Sequence, residues 1–259
     1  MKSQRSTNLL LGLVLLFLLG PFVIIFIASF GAQSNLAFPP QGFSLEWFQR
    51  VFELRTFRDS FNTSLLVAVI ATATALVMGI PAAYALVRFK FPGKDTLEVI
   101  FASPAIVPGL VVGLALLRFF VRLSGMDVLF GLYLGHTAIL FPYTVRVISS
   151  SLRNLDPSLE MAAMSLGANR LTAFVRVILP NVRSGIIAAF ILAFITSFNN
   201  VPISLFLTGP GVATLPIQMM LYMEYYFDPT IAALSTLLIV MTVLIVQGVE
   251  RVLNVSVQV

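Results

Sequence analysis

The chain has 259 residues, 58% of them apolar and 10% charged, with a mean hydropathy of +0.97. Soluble domains carry charge on about a quarter of their residues, so this composition excludes a soluble fold and points to an integral membrane protein. The net charge of +5 sits at the ends of apolar runs rather than in a patch, which argues against nucleic acid, and zero cysteines with one histidine, His136, leave no thiolate or multi-histidine metal site.

Uncharged runs cover 6–45, 60–87, 99–117, 128–145, 184–223 and 229–249. At roughly 20 residues per bilayer-crossing helix, these predict six transmembrane helices near 8–30, 62–87, 99–121, 130–152, 184–207 and 229–252, in one all-α polytopic membrane domain over 1–259. The first apolar run is longer than the roughly 7–15 residues of a signal-peptide core, and no small-x-small cleavage site follows, so it reads as a retained anchor. With the N-terminus inside, the inner segments hold Lys2, Arg5, Arg88, Lys90, Lys94, Arg146, Arg153, Arg170, Arg176, Arg183 and Arg251. The outer segments hold only Arg50, Arg55, Arg58, Arg118 and Arg122. The positive-inside rule therefore puts both termini in the cytoplasm.

Between the first two spans, Phe43, Trp47, Phe48, Val51 and Phe52 share one face of a short amphipathic helix, which reads as an anchor at the membrane surface more readily than as a binding site. In the third span, Pro104, Pro108, Gly109 and Gly113 loosen the helix. Irregular backbone is tolerated at membrane depth where it lines a cavity or is buried in protein.

The cytoplasmic stretch 156–180, DPSLEMAAMSLGANRLTAFVRVILP, breaks the apolar pattern. Asp156 suits an N-cap and Pro157 a first helical position. Leu159, Ala162, Ala163 and Leu166 then fall on one small-residue face. Gly167 stops that helix, Asn169 caps a second, and Pro180 ends it. Two short helices with a sharp turn make a docking surface for a cytoplasmic partner; the competing reading, a helix lying on lipid, calls for a more basic and bulkier face.

Glu160-Met161-Ala162-Ala163, with Ser165, Leu166, Gly167 and then Leu179-Pro180, resembles the EAA loop of permease subunits in binding-protein-dependent ABC importers. The segments 197–219 and 228–239 are similar to permeases of the polyamine, opine and phosphonate importers. The resemblance implies a type I importer fold with a cytoplasmic coupling helix in a bacterial inner membrane. It implies a second homologous permease subunit, two ATP-binding subunits that hold ATP and Mg, and an extracytoplasmic solute-binding protein. It assigns 156–180 to coupling and a polyamine-like or related solute to the path. Two departures stand out: Met161 occupies the motif's glutamate position with Glu160 one residue early, and Asn199-Asn200 stand where polyamine-type permeases often carry acids.

The chain has no G-x-x-x-x-G-K-[ST] loop, so it binds no cofactor and is no enzyme on this reading. An ion-coupled carrier is the chief rival, together with a scaffold subunit lacking an ATPase partner. Ion-coupled carriers place ionisable groups within their spans, and all six cores lack Asp, Glu, Lys and Arg. A membrane hydrolase would need a nucleophile with a base or metal, and neither is visible. Solute handling therefore falls to backbone and amides: Asn199 and Asn200, with Ser197 and Thr196 as weaker candidates, and the Pro104 and Pro108 backbone. The amides fit either interhelical hydrogen bonding or the lining of a path; the resemblance adds to the second. The segment 207–216, with two glycines and two prolines, cannot continue a helix and reads as an outer loop. Receptor contact and an inert connector both fit it.

Overall fold

A computed structural model describes residues 2–102, 107–123 and 127–253, and these are all-helical except for one isolated bridge between Gly209 and Val212. The helices are α1 (Lys2–Ala28), α2 (Glu46–Glu53), α3 (Arg55–Arg88), α4 (Lys94–Ala102), α5 (Gly109–Arg122), α6 (Val128–Arg153) and α7 (Ser158–Ser165). They continue as α8 (Arg170–Ala173), a π turn (Phe174–Ile178), α9 (Leu179–Asn181), α10 (Arg183–Phe198), α11 (Pro202–Leu207), α12 (Leu215–Tyr225) and α13 (Thr230–Leu253). Four segments among the described residues are long and apolar enough to cross a membrane: Leu10–Ala28, Arg55–Arg88, Val128–Arg153 and Thr230–Gly248. The pair Arg170–Asn181 and Arg183–Phe198, bent by 70°, makes a fifth if taken as one span.

The chain divides into two compact units, one formed by residues up to Arg58 with those from Gln218 onward, the other by Asp59–Ile217. In the first unit α13 packs against α1 and α2. Residues 10–27 of α1 have no buried side chain, and Ala28 at its end is buried, as expected of a membrane-crossing helix that is oily all round. The aromatic face expected over 43–52 divides in two. Trp47 and Val51, one turn apart, are buried, and the Trp47 indole N–H donates to the Gly31 carbonyl at 2.7 Å. Phe52 belongs to the neighbouring i,i+4 row and stays exposed, as does Phe43 before the helix. The α2 helix therefore leans on protein with one row and offers only the other to its surroundings. Asp228 accepts hydrogen bonds from the Tyr222 hydroxyl and the Thr230 N–H, both at 2.9 Å, and fastens the start of α13.

The second unit is built on close helix approach. Ala68, Ala71, Ala75 and Ala83 of α3 and Ala193 of α10 have no exposed surface. A Cβ on Gly79 would strike Thr144, and one on Gly185 would strike Ser151. Lipid tails are as apolar as leucine, so burial gives little drive for helices to associate in a bilayer, and small residues that let backbones touch do that work instead. Larger side chains fill the ends of the bundle: Leu86, Val145, Ile148, Leu152, Ile178 and Val182 cluster toward the 156–181 stretch, and Val67, Leu132, Ile203 and Leu207 toward the other end of α3.

Two expected spans are not continuous helices. The run 99–121 is divided between α4 and α5, and 184–207 is broken between α10 and α11 at Asn199–Val201. Pro202 lacks an N–H to bond back into the preceding turn and starts a new helix instead. Pro180 does the opposite of what the sequence suggests: the helix runs through it to Asn181. A π turn precedes it, with the Leu179 N–H donating to the Phe174 carbonyl five residues back, and the wider turn gives the proline ring the room that an α-turn denies it. A further helix, α12, begins at Leu215 inside the 207–216 segment that was expected to be a loop, and runs to Tyr225.

Candidate functional site

The 156–181 stretch is a corner of two short helices, and its ends are fastened locally. The Asp156 carboxylate accepts the Ser158 N–H at 2.8 Å, and the Asn169 side-chain oxygen accepts the Thr172 N–H at 2.8 Å. The helix itself begins at Ser158, one residue later than the expected Pro157. Hydrogen bonds from the Ser158 backbone and hydroxyl hold the Asp156 carboxyl below the usual carboxylate range. Gly167 has φ +92°, the Ala168 N–H bonds to the Ala163 carbonyl at 3.1 Å and the Gly167 N–H to that of Met164 at 3.0 Å. That pair of bonds is the Schellman closure, which needs a left-handed residue at the position Gly167 holds.

No residue of α7 is buried within the chain. Leu159, Met161, Leu166 and Leu171 are exposed, Leu166 by 90%. Ala162 is exposed and Ala163 half-buried between them, Ser165 turns its hydroxyl back to the Met161 carbonyl, and Leu179 and Pro180 lie in the second arm, half-buried and exposed respectively. Glu160 points the other way. Its carboxylate accepts the Tyr84 hydroxyl at 2.5 Å and faces the Arg88 Nε at 3.5 Å, while Arg88 also donates to the Leu155 carbonyl at 3.0 Å. With side-chain exposures of 11% for Arg88 and 13% for Glu160, this pair is sheltered. The glutamate one residue early thus ties the corner to the end of α3, and Met161 takes the outward position. Nothing local in the sequence marks Tyr84 for this role; Arg88 stood out only as a positive charge at a span end.

The second cluster surrounds the break between α10 and α11. Ser197 is buried; Asn199 is exposed and Asn200 half-buried. Among the described residues, neither asparagine side chain bonds outside the 195–203 segment. The Asn199 side-chain N–H donates to the Ile195 carbonyl at 3.2 Å, and the Asn200 side-chain oxygen accepts the Ile203 N–H at 2.9 Å, capping α11. These bonds leave the Asn199 oxygen and the Asn200 amide hydrogens unengaged among the described residues. Thr196 is turned back on the Leu192 carbonyl at 2.7 Å.

Helix α11 lies in a groove made by absent side chains. A Cβ on Gly109 would come within 2.9 Å of Pro202 Cβ, and one on Gly113 within 2.6 Å of the Pro202 carbonyl and 2.8 Å of Phe206. A Cβ on Gly135 of α6 would meet Leu207 at 2.6 Å. Pro108 is exposed at the start of α5, so the structure brings the two interrupted spans together at Gly109 and Pro202. Pro104 lies outside the described residues. No group of three or more His, Cys, Asp or Glu that could hold a metal occurs among the described residues.

Residues 75–258 match the family described as the binding-protein-dependent transport system inner membrane component. The chain is 34% identical over 245 residues to the putrescine transport system permease protein PotI of Escherichia coli (strain K12), covering 91% of this chain and 85% of that one. It is 28% identical over 226 residues to the spermidine/putrescine transport system permease protein PotC of the same strain, covering 87% and 85%. Among solved structures, a chain of a bacterial ABC transporter involved in the import of the acidic polysaccharide alginate superposes with a TM-score of 0.76 at 20% identity, covering 97% of this chain and 98% of that one. The fold is that of an ABC importer permease. The chain belongs to the family of inner membrane components of binding-protein-dependent transport systems: it is a multi-pass inner-membrane permease subunit that binds no cofactor, its ATPase and solute-binding partners being separate proteins.

Proposed function

We propose that the chain, as one transmembrane domain of six spans in the type I arrangement, forms half of a translocation path beside a second, homologous permease subunit and two ATPase subunits. Both termini and the corner at 156–181 face the cytoplasm, in line with the distribution of arginine and lysine. The ATPase subunits receive Met161, Ala162, Ala163 and Leu166, and Glu160 carries their movement into α3. The observation that carries this reading is the corner itself: an apolar face left bare by its own chain, closed by Gly167, and fixed from behind by a sheltered ion pair. The bare amide atoms of Asn199 and Asn200 line the path, Ser197 supports them, and Pro108 stands across from the break.

For the solute we propose a small organic amine of the polyamine class. The support is the likeness to the putrescine and spermidine permeases over some nine-tenths of this chain. Neutral amides in place of carboxylates fit a solute of fewer charges than a long polyamine.

The test is uptake by the reconstituted complex with its receptor, ATPase subunits and putrescine or spermidine as solute. The Asn199→Ala, Asn200→Ser double variant keeps an N-cap on α11 while removing both amides, and should lower uptake with complex yield and melting temperature unchanged. Asn199→Asp should raise preference for the more cationic solute. Wild-type uptake and selectivity in both variants would remove the amides from the path. Full receptor-stimulated ATPase activity in Ala163→Asp would remove the docking role.

A further inference from the structure

His136 lies in the N-terminal half of α6 and is 1% exposed. Its Nδ1 is 2.8 Å from the Ser197 hydroxyl and its Nε2 is 3.1 Å from the Ser204 hydroxyl. Ser197 is the penultimate residue of α10 and Ser204 lies in the first turn of α11, so one ring spans the break from both sides. Both serines are buried, at 2% and 0% exposure. Each hydroxyl can donate or accept, so a neutral imidazole satisfies both nitrogens in either tautomer.

These contacts bear on the asparagines directly. The Ser197 carbonyl accepts the Asn200 N–H at 3.1 Å, and Ser204 follows Ile203, whose N–H the Asn200 side chain caps at 2.9 Å. The break has no other side chain bonded to both halves among the hydrogen bonds described. Its backbone leaves the α-helical ladder at Asn200, whose N–H bonds three residues back to Ser197, and the groove glycines that seat α11 fix its approach to α5 and α6 rather than its angle to α10. Ser197 lies inside α10, where a serine hydroxyl can turn to its own i−4 carbonyl once a partner is lost, whereas Ser204, in the first turn of α11, has no such carbonyl within its helix.

We infer that His136 is a positioning residue that pins the two halves of the broken helix in one relative arrangement, and thereby sets the direction of the Asn199 and Asn200 amides. The part concerning the amides rests on the path reading above; the pinning does not.

Because the chain has no cysteine, Ile195→Cys and Leu205→Cys, both at exposed positions on either side of the break, take spin labels without background. The distance distribution between them, in the intact complex, reads the break geometry; Phe190→Cys with Ile195→Cys reads α10 alone. His136→Phe, and separately Ser197→Ala with Ser204→Ala, should broaden or shift the first distribution and leave the second unchanged. Combining all three substitutions should add nothing further, and His136→Gln, which keeps a donor and an acceptor, should recover part of the wild-type distribution. Ser204→Ala alone, which removes one bond, serves if His136→Phe does not assemble. A wild-type distribution in every variant that assembles overturns the inference, as does full additivity of the histidine and serine changes. In uptake, His136→Phe should raise the half-saturation concentration by about threefold, the factor expected from one modest intramembrane hydrogen bond, with the maximal rate retained. Moved distances with an unmoved half-saturation concentration leave the pin standing and strike the asparagine path instead.

Discussion

The chain interrupts its helices at two places that handle the same backbone problem differently. At the 156–169 corner the turns of the backbone are closed by residues within a few positions, Asp156 to Ser158, Asn169 to Thr172, Gly167 and Ala168 to Met164 and Ala163, and the distant partners Tyr84 and Arg88 hold the Glu160 side chain instead. At the 199–201 break the local cap from Asn200 is joined by distant residues, with His136 bonding from 61 and 68 positions away and Gly109, Gly113 and Gly135 clearing the space. Where water can satisfy a stray carbonyl, local caps suffice. In an apolar setting each unpaired polar group costs several kcal/mol, and only neighbouring helices can supply the missing partners. The first kind of interruption is carried by the sequence nearby, the second by the whole bundle.

The largest effect should follow from attacking the break through its neighbours. Gly113→Leu places carbon where the Pro202 carbonyl and Phe206 stand, and backbone cannot yield as a side-chain tip does. Overpacking of this kind costs about 1–3 kcal/mol or more; the expected result is loss of assembled complex in detergent, measured by yield and melting temperature. Normal assembly would mean that α11 is not seated as described.

A smaller and more local loss is expected at the corner. Gly167→Val meets no atom within 4 Å, so its cost is backbone strain alone, about 1–2 kcal/mol for a side chain in the left-handed region. The complex should assemble at wild-type yield while receptor-stimulated ATPase activity falls several-fold. Equal damage to assembly from Gly167→Val and Gly113→Leu would erase the contrast between the two regions.

The smallest effect concerns pH. The Asp156 carboxyl is held below its ordinary range by Ser158, so its contribution to the corner is complete above the unfolded carboxylate range and is lost as pH falls through the depressed folded value. Asp156→Asn should keep the cap and flatten the acid limb of the stimulated ATPase profile, leaving activity near neutrality unchanged. An acid limb identical in Asp156→Asn and wild type would detach the cap from coupling.

The same contrast accounts for what could be read in advance. Asp156, Gly167 and Asn169 declare the corner because their side chains or φ angle act on their own backbone, and spacing along the chain is all such roles require. The break was legible only as two asparagines ahead of a proline. Its partners, His136 on α6 and Gly109 and Gly113 on α5, come from other parts of the sequence, so nothing beside Asn199 and Asn200 points to them. The offer of interhelical bonding or path lining for Asn199 and Asn200 also omitted what they do in the structure, which is to terminate and restart a helix. Pro180 misled for a related reason: a proline ends an α-helix, but the π turn that accommodates it has no signature in this sequence.

The tie between Glu160 and Arg88 acquires a mechanical meaning once α3 is considered along its length. Residues 59–88 alone run for about 45 Å at 1.5 Å per residue, with no interruption. About two-thirds of the way toward the tied end, Gly79 lies flush on Thr144, and the Thr144 hydroxyl donates to the Ala75 carbonyl at 3.0 Å. Between that contact and the tie lies Pro81, which removes one bond from the helical ladder and makes this the softest turn of the helix. Displacement of the corner would therefore be divided between a bend at Pro81 and a swing of the far end of α3 in the opposite sense about Thr144.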